Sequence, residues 1–256
     1  MSDASKSLVE HVFGVGRDVV LVHGGMTDGP LAWFAQKPLA ERWTVRVVDR
    51  AGYGKSSELS AGEDVEFDAS RLVAALRGAT PVHLVGHSSG AIVALLVAAA
   101  APEAVRSLVI VEPPAYRFMN DAEVQHLADA GDELWGQTLL SDGEWLMRFF
   151  EVYGEDPPST DITQLLEPHV SAFRKFVRRP WDIALPIERL RRAEVPTLVI
   201  SGGHDAAFER LNDHVAAVLG ARRAVVEGAG HEVQTVGQPF NDVLAGFWAE
   251  VESEML

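Results

Sequence analysis

Cysteine is absent from this chain. Its absence excludes disulfides, a thiol nucleophile and any cysteine-based metal site, while leaving the cellular compartment open. Cations are scarce, with 22 Lys and Arg against 37 Asp and Glu and a net charge of −15. An acidic surface repels phosphate backbones and anionic lipid headgroups, so neither nucleic acid nor a membrane is expected as a partner. Solubility is the ordinary use of such a charge. Long apolar runs are missing too. The longest, Ala91–Ala101, is too short to span a bilayer. The opening Ser2-Asp3-Ala4-Ser5-Lys6-Ser7 has none of the apolar character of a secretory signal. A cytoplasmic location is therefore expected. Internal repeats, low-complexity stretches and long linkers are not seen.

What the chain does have is ample core-forming material, 47% hydrophobic residues in 256, enough for one large domain or a core with an insertion. Short β-rich runs alternate with helical patterns. Strands are expected at Leu8–Phe13, Val19–Val22, Thr44–Val48, Val82–Val85, Ser107–Val111, Thr197–Ser201 and Ala224–Val226. Several are unbroken Val/Leu/Ile runs, as in a parallel sheet covered on both faces. Helices are expected at Leu31–Arg42, Asp64–Arg77, Ser89–Ala100, Phe208–Leu219 and Pro239–Glu252. Gly14–Asp18 reads as a hairpin turn between the first two strands. The alternation stops between Pro113 and Leu190, where helical patterns at Asp121–Ala130, Gly143–Tyr153 and Ile162–Val177 carry many aromatics. The expected architecture is a mostly parallel, doubly wound α/β sheet. Its core comprises residues 1–112 and 191–256, and a helical cap is inserted at 113–190.

The pentapeptide Gly86-His87-Ser88-Ser89-Gly90 lies between the strand run Val82–Val85 and the Ala/Leu-rich helix. Strand, Gly-x-Ser-x-Gly and helix together describe a nucleophile elbow, in which glycines permit a turn tight enough to project a strained serine beyond the sheet. Ser88 is the candidate nucleophile. A serine hydroxyl needs a base, and the base needs an orienting group. His231 follows the last strand in Gly228-Ala229-Gly230-His231, and Asp205 follows the preceding strand in Gly202-Gly203-His204-Asp205. Strand carboxyl ends share one edge of a parallel sheet, so Ser88, Asp205 and His231 can converge there. The oxyanion formed on attack needs backbone N–H donors. Ser89 supplies one, and Gly25, in the turn His23-Gly24-Gly25-Met26, is favoured for the other.

These segments resemble the α/β-hydrolase superfamily, in the cap-containing, esterase- or lactonase-like group of serine hydrolases. His23-Gly24-Gly25, Asp49-Arg50-Ala51-Gly52-Tyr53-Gly54-Lys55-Ser56, Gly86–Gly90 and Gly230-His231 carry the resemblance, which covers nearly the whole chain. It implies the α/β-hydrolase fold and a Ser-acid-His triad. The Asp49–Ser56 stretch matches a loop that is usually structural in that family. Serine rather than aspartate at position 88 argues against the haloalkane dehalogenase and epoxide hydrolase branches. The short N-terminus implies that the usual first antiparallel strands are trimmed.

Several residues have plainer readings. Asp205 could simply cap the helix that follows. Glu112, at the end of Ser107–Val111, is the alternative acid, a position some family members use. His23 reads as a tie for the oxyanion loop. His83, His204 and His214 form no ligand pattern, so neither metal nor cofactor is expected. Gly54-Lys55-Ser56 lacks the rest of a P-loop. Met26, His87, Trp135, Trp145, Phe149, Phe150 and Phe176 are candidates for the substrate wall, although helically spaced aromatics also build a cap's own core. The expected activity is cleavage of an ester, lactone or related acyl bond in a small hydrophobic substrate, by a monomer or homodimer. A carbon–carbon bond hydrolase, a cofactor-independent oxygenase or cyclase, and a ligand-sensing receptor that keeps the triad are the alternatives.

Overall fold

The apolar runs become seven strands of one sheet in a computed structural model, which describes residues 8–56, 62–153 and 156–254. The N-terminal segment Ser2–Ser7 lies outside the described residues. The strands are β1 (Val9–Phe13), β2 (Arg17–Val22), β3 (Trp43–Asp49), β4 (Val82–His87), β5 (Val105–Val111), β6 (Thr197–Ser201) and β7 (Arg222–Val225), in the order β1-β3-β2-β4-β5-β6-β7. Only β1 pairs antiparallel, against β3; the other pairs are parallel. Helices flank the sheet: α1 (Gly29–Ala32), α2 (Val65–Leu76), α3 (Ser89–Ala100), α4 (Ala122–Gly136), α5 (Asp142–Val152), α6 (Thr160–Phe173), α7 (Ile187–Ala193), α8 (Ala206–Leu219) and α9 (Gln238–Ser253).

Both faces of the central strands are buried, which is why their sequences do not alternate. Val20, Val22 and Leu84 face a core built with α2, α3, α7 and α8, including Leu72, Ile92, Leu190 and Leu211. Val19, Leu21 and Val85 face the opposite core with Trp33, Leu39, Phe240, Leu244 and Trp248. Two local expectations change. Gly14–Asp18 does not close a hairpin, because β3 pairs with both β1 and β2 and lies between them. The Leu31–Arg42 helix breaks into α1 and a 3₁₀ segment, Phe34–Glu41, that contains Pro38; proline removes a hydrogen bond and crowds the preceding turn.

No strand occurs among the described residues between β5 and β6. The chain there runs through α4, α5, α6 and α7. Helices α4–α6 pack Leu134, Trp145, Leu146, Val170 and Phe173 together with Met26 of the β2–α1 loop. Pro168 does not interrupt α6. An isolated parallel bridge between Glu63 and Phe176 ties this helical segment to the chain entering α2.

Candidate active site

Ser88 stands between β4 and α3 with φ 52° and ψ −126°, a strained conformation for any residue with a Cβ. Close packing fixes the turn. A Cβ on Gly86 would overlap the Gly90 carbonyl, and one on Gly90 would overlap the carbonyls of Val22 and His23. The Ser88 N–H donates to Val111 O at 2.9 Å, which locks the elbow to the end of β5. Its hydroxyl makes no cap to α3. Ser88, Ser89 and His231 line one cavity. Ser89 is the first residue of α3, where backbone N–H groups point outward and the helix dipole favours negative charge.

The β2–α1 turn lies against the elbow. A Cβ on Gly24 would come within 2.9 Å of the Ser88 Cβ, and one on Gly25 would overlap the Phe173 ring. Buried His23 donates from Nδ1 to Gly24 O at 2.7 Å and accepts at Nε2 from the Arg50 N–H at 3.0 Å. Burial, with Arg50 close by, pushes its pKa well down, so it is a neutral tie for the loop. Arg50 braces both halves of the site. One of its terminal nitrogens donates to Gly24 O at 3.1 Å and to Ser89 Oγ at 2.8 Å. It is itself paired with Glu63 at 2.6 Å and Asp68 at 3.0 Å. Burial pulls its pKa down, but the two carboxylates more than offset this and hold it charged. Tyr53 donates to Glu63.

The two acid candidates have different surroundings. Asp205 is exposed, and its Oδ1 accepts from the N–H groups of Ala207 at 2.7 Å and Phe208 at 3.1 Å, capping α8. Glu112 is wholly buried at the end of β5, with φ 47°. Its Oε1 accepts from Gly202 N–H at 2.9 Å, and its Oε2 lies 3.7 Å from His231 Nδ1. The structure thus brings Glu112, rather than the preferred Asp205, beside His231: Asp205 is occupied as a helix cap, and the carboxylate facing the imidazole is that of Glu112. His231 is further held through its carbonyl, which accepts from His87 Nε2 at 3.0 Å.

A family model described as the alpha/beta hydrolase family matches residues 19–244. The chain belongs to this family. It is 30% identical over 205 residues to a pyrrolizixenacetamide deacetylase of Xenorhabdus hominickii, covering 75% of each chain. It is 28% identical to a putative carbamate hydrolase of Azorhizobium caulinodans, covering 96% of each. Among solved structures, a carboxylesterase of Nitrososphaera gargenis superposes with a TM-score of 0.76 at 18% identity, covering 99% of each chain, and shares the fold. These relatives are hydrolases of the alpha/beta fold, as is this chain.

The cavity of this hydrolase that holds Ser88, Ser89 and His231 is otherwise apolar. Its aromatic wall comprises Tyr116, Trp135, Phe149, Tyr153, Phe173, Phe176, Trp181 and Phe208, with Pro114 and Pro180. Trp135, Phe149 and Phe176 are where the sequence reading puts them. Trp145 is fully buried beneath the wall, donating to Leu134 O at 3.2 Å; Met26 packs in the same cluster, and Phe150 packs against it. His87 is buried behind His231 rather than lining the cavity. Sequence reasoning missed Tyr116, Tyr153, Phe173, Trp181 and Phe208. Their aromatic character was visible, but the face they present depends on how the helices pack. Among the described residues, no Lys, Arg, Asp or Glu lines the cavity.

The structure also brings His204 to Glu112. Its Nδ1 lies 3.7 Å from Glu112 Oε1, so Glu112 stands between two imidazoles. No helix among the described residues is long and apolar enough to cross a membrane.

Proposed function

We propose that this hydrolase cleaves an ester, lactone or related acyl bond of a small, uncharged, apolar or aromatic substrate through Ser88, His231 and Glu112. The observation that carries the reading is that Ser88 and His231 meet in one aromatic cavity with buried Glu112 directly behind the imidazole. Ser88 Oγ attacks the carbonyl carbon as His231 Nε2 takes its proton. Glu112 faces Nδ1 and stabilises the imidazolium as it forms. Its 3.7 Å separation shortens as charge develops, as catalytic hydrogen bonds often do on substrate binding. The N–H groups of Gly25 and Ser89 hold the oxyanion. His231 next protonates the leaving group, and it then activates water against the acyl-enzyme.

The helical segment between β5 and β6 acts as the cap that sets specificity. An anionic substrate, such as the dienoate of a carbon–carbon bond hydrolase, needs a cation or several N–H donors for its carboxylate. The wall offers aromatic rings instead, which favours a neutral acyl group. Relatives named as a pyrrolizixenacetamide deacetylase and a putative carbamate hydrolase support including amide-like carbonyls in the proposed substrate range.

A fluorophosphonate probe tests the reading, with peptide mapping to locate the adduct. The expected result is one adduct per chain, on Ser88, and turnover of p-nitrophenyl esters that is lost in Ser88→Ala. A folded protein that stays unlabelled at Ser88 would refute it.

A further inference from the structure

Glu112, His204 and His231 bring three ligand atoms within 4.8 Å of one another. Both nitrogens of His204 and Oε2 of Glu112 are buried without a hydrogen-bond partner. Buried polar atoms in native folds are overwhelmingly satisfied, so such a group of exceptions calls for a physical reason. The spacing suggests one. Glu112 Oε1 lies 3.7 Å from His204 Nδ1, and Glu112 Oε2 lies 3.7 Å from His231 Nδ1. A tetrahedral zinc ion with bonds of about 2.0–2.2 Å holds its ligand atoms roughly 3.4 Å apart, a spacing that three atoms already within 4.8 Å of one another can reach by small side-chain movements.

We propose that Glu112, His204 and His231 form a regulatory site for a borderline-soft divalent cation, Zn²⁺, that turns the hydrolase off. The donor set of two imidazole nitrogens and one carboxylate suits zinc, whereas magnesium and calcium favour oxygen ligands throughout. The Gly202 N–H on Oε1 orients the carboxylate from behind, as outer-shell donors do in metal sites. Phe208, with its ring 4.9 Å from that of His204 and 5.7 Å from that of His231, walls one side with apolar surface. His204 keeps 15% of its side chain exposed, which gives the ion a route in.

A second set, His87, His231 and Glu232, has comparable spacing. There Glu232 is half exposed and already accepts from Gln234 Nε2 at 2.6 Å, so its charge is met without a metal.

The consequence for turnover rests on the functional reading above; the binding does not. A cation on His231 Nδ1 leaves the ring proton on Nε2. The lone pair that would take the Ser88 proton is then gone, and Glu112 is bound to the metal instead of the imidazole.

The test is titration of Zn²⁺ against a chromophoric chelator, together with Zn²⁺ inhibition of ester turnover, on the full-length protein. Wild type should bind one Zn²⁺ per chain, lose turnover as it does so, and recover with EDTA, while Mg²⁺ has no effect. His204→Phe and His204→Gln should each weaken binding, and raise the Zn²⁺ needed for half-inhibition, by at least about tenfold, since losing even an outer-shell partner of a metal ligand costs about 10–100-fold. Two variants guard against a folding defect in either one. Unchanged Zn²⁺ affinity in both folded variants, or affinity lost in Glu232→Gln but kept in His204→Gln, would overturn the proposal. The chelator titration needs no turnover, so an inactive wild type that still binds zinc through His204 would count against the functional reading and leave the metal site standing.

Discussion

Exchanging Glu112 and Asp205 separately for their amides distinguishes a charge that acts on the base from one that caps a helix. Glu112→Gln keeps the side-chain shape, and its carbonyl oxygen can still accept the Gly202 N–H now held at 2.9 Å. The variant should therefore fold. What it loses is the negative charge 3.7 Å from His231 Nδ1, and an amide N–H₂ turned to that nitrogen favours the wrong tautomer. Loss of an orienting carboxylate in a serine triad lowers kcat by about 10⁴-fold, close to 5.4 kcal/mol at about 1.36 kcal/mol per factor of ten. Glu112 does not line the cavity, so KM should stay near the wild-type value. Asp205→Asn should behave in the opposite way. Asn caps helices about as well as Asp, so the Ala207 and Phe208 N–H groups keep their partner and turnover should change by less than about twofold. Asp205→Ala removes the cap, at a cost of about 1 kcal/mol of stability, or roughly 2–4 °C in Tm for a chain of this size, with kcat unchanged. Steady-state kinetics on a p-nitrophenyl ester, paired with thermal melts, read out all three variants. A Glu112→Gln enzyme with nearly full kcat, or an Asp205→Asn enzyme crippled by orders of magnitude, would refute the assignment of the acid.

Arg50→Met should be among the most damaging single changes, because it leaves Glu63 and Asp68 buried without their cation. Breaking a buried pair from one side costs about 3–5 kcal/mol, so thermal denaturation should fall by roughly 6–20 °C, and a loss under about 2 °C would contradict the bracing role. Acid should weaken the fold through His83. Burial lowers its pKa to about 4 from 6.5, so between those values the unfolded chain takes up a proton that the folded one refuses. Stability from this group is thus complete above about pH 6.5 and declines as the pH falls toward 4, by about 3 kcal/mol in all. Urea titrations across that window should show the decline, with a shallower one in His83→Gln; identical slopes would remove His83 as the cause.

Ser88 and His231 were legible because their signals are local. A Gly-x-Ser-x-Gly between an apolar strand and an Ala-rich helix admits few backbone solutions, and the packing of Gly86 and Gly90 explains why both positions must lack a side chain. The acid was ambiguous for a physical reason. Asp205 and Glu112 both follow strands that end on the same edge, and an aspartate before a helix reads equally well as cap or as catalyst. The lateral position of each strand end separates them. β5 is the immediate neighbour of β4, with Val111 opposite His87, so the next residue falls beside the elbow. A lone glutamate that closes a wholly apolar run before Pro113-Pro114 was the available clue. The β1–β3 pairing and the inward-facing cap aromatics were less legible, since strand order and helix rotation depend on contacts between residues far apart in the chain.

Backbone strain gives an independent measure of where this hydrolase concentrates its function. The non-glycine residues with positive φ among those described are Met26, Ser88, Glu112 and Glu194. Glu194 ends α7, where a left-handed residue is an ordinary helix stop. The other three fall in the loops after β2, β4 and β5, three adjacent strands of the sheet. Each such conformation costs about 1–3 kcal/mol and persists only where its surroundings over-determine it. Those surroundings are identifiable: the aromatic cluster over Met26, the Ser88 N–H bond to Val111 O, and the Gly202 N–H on Glu112. Asp205, by contrast, has an ordinary extended backbone, φ −145° and ψ 136°. A fold that served only stability would relax these three loops. That it holds them strained side by side supports the proposed reading, in which the oxyanion loop, the nucleophile and the acid form a single pre-organised unit with Glu112 in the acid's place.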